Sequence, residues 1–294
     1  MKFAFLLLCH KNPKQINMLL NKLEEFDCDI YIHIDKKKYL EIIDLISRKG
    51  NIYVIEYDES YDIKWGGVEM VSATLSLIEK VRKSGKNYDY LWLLSGQDYI
   101  IKNSSYIVEN MKKNPNCNYI EIIDKNNKKY NSYKKLYDVY YWNWMTKNKL
   151  ICKVIKRLYM ILTGGFSHTL PIFKRKKPFP FEFYFGSQWW TLKQEVAYQI
   201  LEYTNNNPRV VDFFKHSIIP DECFFQTIIM SLPYKKTIKN NLTFVNWKNN
   251  RRSPETLTIN DYNLLINHKK YYFARKFDID IDQKIIDELN NKLN

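Results

Sequence analysis

The apolar positions of this chain change period repeatedly along its first hundred residues. Residues 3–9, Phe-Ala-Phe-Leu-Leu-Leu-Cys, form an unbroken apolar run that predicts a buried strand. Asn12-Pro13 then opens a stretch in which Ile16, Leu19, Leu20, Leu23 and Phe26 recur at helical spacing. Residues 30–34 predict a second strand ending in His33-Ile34-Asp35, residues 39–47 a helix, and residues 52–55 a third strand. Trp65-Gly66-Gly67 breaks the chain before a helix carrying Val68, Val71, Leu75, Ile78 and Val81. A strand over 90–94 leads into Ser95-Gly96-Gln97-Asp98-Tyr99, and a further helix begins near Ser104. Strands alternating with helices imply an α/β fold with a Rossmann-like, mostly parallel central sheet flanked by helices. In such sheets ligands bind beyond the carboxyl ends of the strands. Those ends fall here at Leu8 to His10, His33 to Asp35, Ile63 to Trp65, and Gln97-Asp98.

The pattern changes over residues 125–180. Lys and Tyr are interleaved from Lys128 to Lys135, residues 150–162 are amphipathic, and Lys174 to Lys177 are basic. Such a segment suits either a helical insertion packed on the core or a helix lying on an anionic membrane. Order returns with a predicted strand over 181–185, then Gly186-Ser187-Gln188-Trp189-Trp190 and a helix through Tyr203. Pro220-Asp221-Glu222 opens a short helix over 223–230. Capping of that helix explains Asp221. Glu222, in an aromatic setting, is instead a candidate for a carboxylate held at a working pKa.

Composition narrows the partners. With 46 Lys+Arg against 32 Asp+Glu the net charge is +14, which favours phosphate-bearing ligands or follows from a Lys-, Asn- and Ile-rich composition. Five widely spaced cysteines without a Cys-x-x-Cys fit neither a zinc site nor a disulfide framework, and suit a reducing compartment. The opening apolar run is too short for a secretory leader, and Leu8 before Cys9 disfavours a lipoprotein signal. A cytoplasmic chain, with the inner membrane face as its one peripheral contact, is the expectation. Asp278, Asp280 and Asp282 alternate with isoleucine and read as a solvated, strand-like edge rather than a metal site.

Six motifs in order carry a resemblance: His33-Ile34-Asp35-Lys36-Lys37, Trp65-Gly66-Gly67, Leu94-Ser95-Gly96-Gln97-Asp98-Tyr99, Gly186-Ser187-Gln188-Trp189-Trp190, Pro220-Asp221-Glu222-Cys223-Phe224-Phe225 and Phe273-Ala274-Arg275-Lys276-Phe277. Together they resemble glycosyltransferase family 14, which contains the core-2/I-branching β-1,6-N-acetylglucosaminyltransferases and the peptide O-xylosyltransferases. The resemblance spans the chain except residues 125–180. It implies one GT-A-type domain over 1–294, with a nucleotide-binding half (1–124), the insertion (125–180) and an acceptor half (181–294). It further implies a UDP-sugar donor, a glycan or lipid-linked oligosaccharide acceptor, inversion, and no divalent metal, with N-acetylglucosamine or xylose as the transferred sugar.

By the same resemblance Glu222 matches the general base, and Arg275 and Lys276 match the basic pair on the diphosphate. Ser253 matches a further diphosphate contact, with Arg252 beside it as a candidate second clamp. Asp35 and Leu8 match the uracil pocket; Ile63, Lys64 and Trp65 match the segment beside the nucleotide sugar. Gln188 and Trp189 match an Asp-Trp pair near the sugar, and Gln188 departs from the xylosyltransferase pattern by replacing a charge with an amide. Trp189 is a candidate to stack on a sugar face, and Trp190 a core residue. Two other classes fit parts of the chain: a nucleic-acid binder using the Lys/Tyr-rich stretch, and an inactive glycosyltransferase-like scaffold. The absence of a recognised nucleic-acid module and the retention of Glu222, Arg275 and Lys276 disfavour both.

Overall fold

Strand β1, Phe3–Cys9, is buried along its whole length, and its alternating side chains enter two separate cores. Phe3, Phe5 and Leu7 pack on one face with helices Pro13–Leu23 and Lys284–Leu293. Ala4, Leu6 and Leu8 pack on the other with helices Glu69–Lys83 and Gln194–Asn206. A strand apolar at every position is what a sheet covered on both faces requires. The computed structural model describes residues 1–137, 140–141, 150–162, 175–247 and 253–293.

On either side of β1 run β2 (Cys28–Ile34) and β4 (Tyr90–Ser95), both parallel to it, and β3 (Ile52–Val54) lies parallel beyond β2. The sheet continues past β4 through β7 (Thr191–Lys193), β6 (Asn118–Tyr119) and β8 (Ile238–Lys239), giving the order β3-β2-β1-β4-β7-β6-β8. Only the two pairings of β7 are antiparallel, so the sheet is mostly parallel, as expected. Chain leaving β4 crosses Gly96-Gln97 and enters a second sheet, in which β5 (Asp98–Ile100), β10 (Phe273–Arg275) and β9 (Thr243–Val245) lie side by side. A Cβ on Gly96 would stand 3.1 Å from Ile16 and 3.3 Å from the Cys9 sulfur, so this turn is pressed against the first helix. The Gln15 amide fixes it, donating to the carbonyls of Gly96 (3.0 Å) and Phe277 (3.2 Å).

Three local expectations are corrected. The helix expected over 39–47 stops at Ile42, because Asn17 captures the chain beyond it, accepting from Ser47 N and donating to the Leu45 carbonyl (both 2.8 Å). Residues 181–185 are not a strand. Phe183 and Phe185 are buried in an aromatic cluster, but their backbone is held by the Tyr130 hydroxyl on the Phe183 carbonyl and by Thr227 on Tyr184 N. The Asp278–Asp282 run is helical rather than strand-like, and only its middle, Asp280 and Ile281, is solvated. Asp278 is buried, ion-paired to Lys11 at 2.5 Å, and caps the turn Ile279–Asp282, while Asp282 accepts from Ile259 N. Among the described residues no group of acidic, His or Cys side chains is arranged to hold a metal, and no helix is long and apolar enough to cross a membrane.

Candidate active site

Strands β1, β2 and β4 end level, since Leu8 is paired with both His33 and Ser95, and the chain beyond them forms the floor of the site. Asp35, at the end of β2, is largely buried and caps the next turn, accepting from Lys37 N at 3.1 Å. The Lys37 ammonium reaches across to Asp62 (2.7 Å) and the Ile63 carbonyl (2.6 Å). His33 supports the same segment as a neutral ring, accepting from Tyr61 N at 3.0 Å; burial pushes its pKa down to about 4. Leu8, Asp35 and Ile63 are thereby gathered at one end of the sheet. Lys64 is ion-paired to Glu69 at 3.4 Å, and Trp65 stands exposed on the following turn. Gly66, at φ 70°, needs the left-handed region this turn requires, and its carbonyl accepts from Ile219 N at 3.0 Å.

The cationic side comes from β10. The antiparallel register sets Arg275 opposite Asp98. The guanidinium Nε lies 3.5 Å from the Asp98 carboxylate, an ion pair rather than a hydrogen bond, and the guanidinium carbon sits 3.9 Å from the centre of the Trp189 ring. Asp98 is fully buried and accepts from Ser95 N (2.9 Å) and its hydroxyl (2.8 Å). One face of Trp189 is therefore occupied by Arg275 rather than open for stacking on a sugar. Lys276 follows, half-buried, with its pKa held down by desolvation and then by Lys11 and Arg275. His10 is held below its ordinary value by desolvation and by Lys276, Lys11 and Arg275, against the pull of Asp35. Lys11, Lys276 and Arg275 crowd one another at the end of β1, beside a His10 ring whose neutral form they favour. Ser253 is exposed, on a segment tied to the cluster by Leu257 N donating to the Lys276 carbonyl at 2.8 Å; Arg252 lies outside the described residues.

The acidic side begins at Ile219, a β-branched residue in the left-handed region at φ 53°. It is held there by its own N–H to Gly66 and by its carbonyl, which accepts from the Tyr137 hydroxyl at 2.7 Å and from Glu222 N at 3.2 Å. The strained turn presents Asp221 and Glu222. Desolvation raises Asp221 to about 6, opposed by its own backbone N–H and by Arg275, so Asp221 is not the simple helix cap expected from its position. Desolvation raises Glu222 to about 8, helped by Asp221 and Glu121 and opposed by a hydrogen bond from Tyr133. Gly186 N donates to the Glu222 carbonyl at 3.0 Å, and a Cβ on Gly186 would fall 1.9 Å from the Glu121 carbonyl oxygen. Gly186→Ala is accordingly expected to cost at least about 1–3 kcal/mol by overpacking against backbone, read as a lower melting temperature, and to displace Glu222. Beside it the Gln188 amide nitrogen is buried without a hydrogen-bond partner, and Trp190 is core, as expected.

A family model for the Core-2/I-Branching enzymes matches residues 3–266. The chain belongs to this family. Its curated relatives include the xylosyltransferase oxt of Drosophila melanogaster, 23% identical over 316 residues, covering 99% of this chain and 33% of the relative. Xylosyltransferase 1 of Homo sapiens is 22% identical over 313 residues, covering 98% and 30%. The chain thus spans about a third of the length of these relatives. Among solved structures, apo mouse xyloside xylosyltransferase 1 aligns over 93% of this chain and 97% of its own, at 11% identity and a TM-score of 0.40. The chain is thus a member of glycosyltransferase family 14, with the mixed α/β architecture described above.

Several site neighbours of this family member escape a reading of the sequence. Glu121, Tyr133 and Lys11 reach the cluster only through the fold. The one legible signal was Gly186, whose missing side chain marks a close backbone approach, although its partner, Glu121, lies far away in sequence.

Proposed function

We propose that the chain moves a sugar from a UDP-sugar to a hydroxyl of a glycan acceptor, with inversion and without a divalent metal. The observation that carries this reading is the position of Arg275. It has Lys276, itself crowded by Lys11, for a neighbour on one side and Asp221, next to Glu222, on the other. Cations that depress one another's pKa gain when an anion arrives, and a leaving diphosphate is such an anion. In this reading Lys276 and Arg275, with Ser253, hold the diphosphate, and Asp35 and Leu8 meet the uracil. Ile63, Lys64 and Trp65 flank the nucleotide sugar, while Gln188 and Trp189 lie near the transferred sugar. Glu222, whose raised pKa makes it a stronger base than an ordinary carboxylate, takes the acceptor proton as the oxygen attacks the anomeric carbon. The relatives named xylosyltransferases support xylose; the amide at Gln188 keeps N-acetylglucosamine beside it.

Release of UDP from a panel of UDP-sugars, with EDTA present and thermal shifts by UDP run alongside, tests the reading. Turnover of one donor that survives EDTA is the expected result and names the sugar. Turnover that requires an added divalent metal would overturn the metal-free part alone. The reading as a whole fails if UDP neither stabilises the protein nor is released from any donor, with or without metal.

A further inference from the structure

The segment between Asp138 and Glu182 contains nine Lys and Arg and no Asp or Glu. Its helix Leu150–Leu162 exposes Leu150, Ile151, Val154, Ile155, Leu158 and Ile161, between 46% and 77% of each. These positions recur at spacings of three and four and so form one stripe along the helix. Cys152 and Tyr159, seven residues apart and only partly exposed, lie away from that stripe, and the Tyr159 hydroxyl donates to the Tyr140 carbonyl at 3.1 Å. The helix is therefore attached to the body by one side while its apolar side faces solvent. Lys153 and Arg157, four apart and exposed, border the stripe. A contiguous apolar stripe of this length is more than a soluble monomer ordinarily leaves bare.

We infer that helix Leu150–Leu162 is a docking surface for an anionic lipid bilayer, with the apolar stripe in the interface and the basic residues at the headgroups. The charge decides between occupants. A second copy of this chain would set one acid-free basic segment against another, whereas an anionic leaflet supplies the missing counter-charge. Lys153, Arg157 and Lys176 are exposed and available for that role. Arg175 is not, since it is buried and donates to the His216 carbonyl (2.8 Å) and the Ser217 hydroxyl (3.0 Å). That contact, together with Tyr141 N on the His216 carbonyl at 2.7 Å, joins the segment to the chain a few residues before Glu222. A docked helix would thus hold the Glu222 side of the cleft close to the membrane. The inference does not depend on the transferase reading.

Co-sedimentation of the full chain with phosphatidylglycerol vesicles, and with phosphatidylcholine vesicles as control, tests it. The expected result is binding to the anionic vesicles only, weakened by salt. In Ile151→Gln/Leu158→Gln, and separately in Lys153→Glu/Arg157→Glu, binding should fall by about ten-fold or more, with the melting temperature unchanged because all four side chains are exposed. Wild-type protein left in the supernatant with both vesicle types would overturn the inference, as would variants that bind like wild type. A dimer that the glutamine pair converts to a monomer, without vesicle binding, would overturn it in favour of a second copy.

Discussion

Glu222→Gln should lower turnover by about 10²–10⁴-fold, the range expected for removing a general base, while making the protein more stable at neutral pH and above. The two effects share one cause. Burial first, then Asp221 and Glu121, raise the Glu222 carboxyl to about 8, so the fold favours its protonated form. A group whose folded pKa lies above its unfolded value contributes stability that is complete at low pH. That contribution is lost as pH rises from the ordinary value of 4.5 through about 8. The amide mimics the protonated acid and removes this penalty. In the wild type, kcat/KM should climb with pH along a limb set by Glu222, since only the carboxylate can accept the proton. The checks are a pH–rate profile of the wild type and paired melting curves of both proteins at pH values on either side of the limb. A variant that keeps wild-type turnover, or a flat wild-type profile up to pH 9, would remove Glu222 from the chemistry.

Arg275→Met should destabilise the fold by about 3–5 kcal/mol, the cost of leaving a buried charge without its partner. Asp98 is the charge left behind: it is fully buried, opposite Arg275 in the ladder, and otherwise held only by Ser95 among its described hydrogen bonds. Adding Asp98→Asn should recover part of the loss, so that the double variant is less destabilised than the sum of the single ones. Urea unfolding of the four proteins measures the coupling, and additive effects would show that the pair is not coupled. Lys276→Gln provides the contrast. Lys276 is crowded by Lys11 and Arg275, so its removal should change stability by less than about 0.5 kcal/mol while weakening UDP binding by about ten- to a hundred-fold. On this account adjacent residues divide the work: Arg275 also ties β10 to β5 within the second sheet, and Lys276 carries the more available charge.

What could be read in advance depended on whether a residue's partners were local. Most strands and helices of residues 3–112, the stretch after Ile42 excepted, announce themselves because burial on both sheet faces forces continuous apolar runs, and helix packing forces the three-four spacing. Glu222 stood out by its place after Pro220 in an aromatic stretch, and Arg275 and Lys276 by their motif. Residues 181–185 misled because an apolar run looks the same whether its backbone is paired in a ladder or held by Tyr130 and Thr227. The Asp278–Asp282 run misled for a related reason: alternation suggested a strand, but capping by Asp278 and the ion pair to Lys11 favour a helical turn. Glu121 and Tyr133 gave no signal, since only the tertiary fold brings them to Glu222. The insertion resolved in two directions. Helix Lys128–Tyr137 buries Tyr130 and Tyr137 in the core, whereas helix Leu150–Leu162 turns its apolar side outward.

The alternation along β1 has a consequence for how such an enzyme diversifies. Phe273 and Phe277, which bracket Arg275 and Lys276, belong to the core packed on one face of the sheet, and Cys223 and Phe224, which follow Glu222, belong to the core on the other. The separation is one-sided: substitutions confined to the first core leave Cys223 and Phe224 in place, whereas the second core also contains Leu8 and Trp189, the ring on which Arg275 packs. A laboratory library aimed at new acceptors should therefore spare Leu8 and Trp189 while varying the other side chains around Glu222, so that selection need not begin by repairing the proposed donor site.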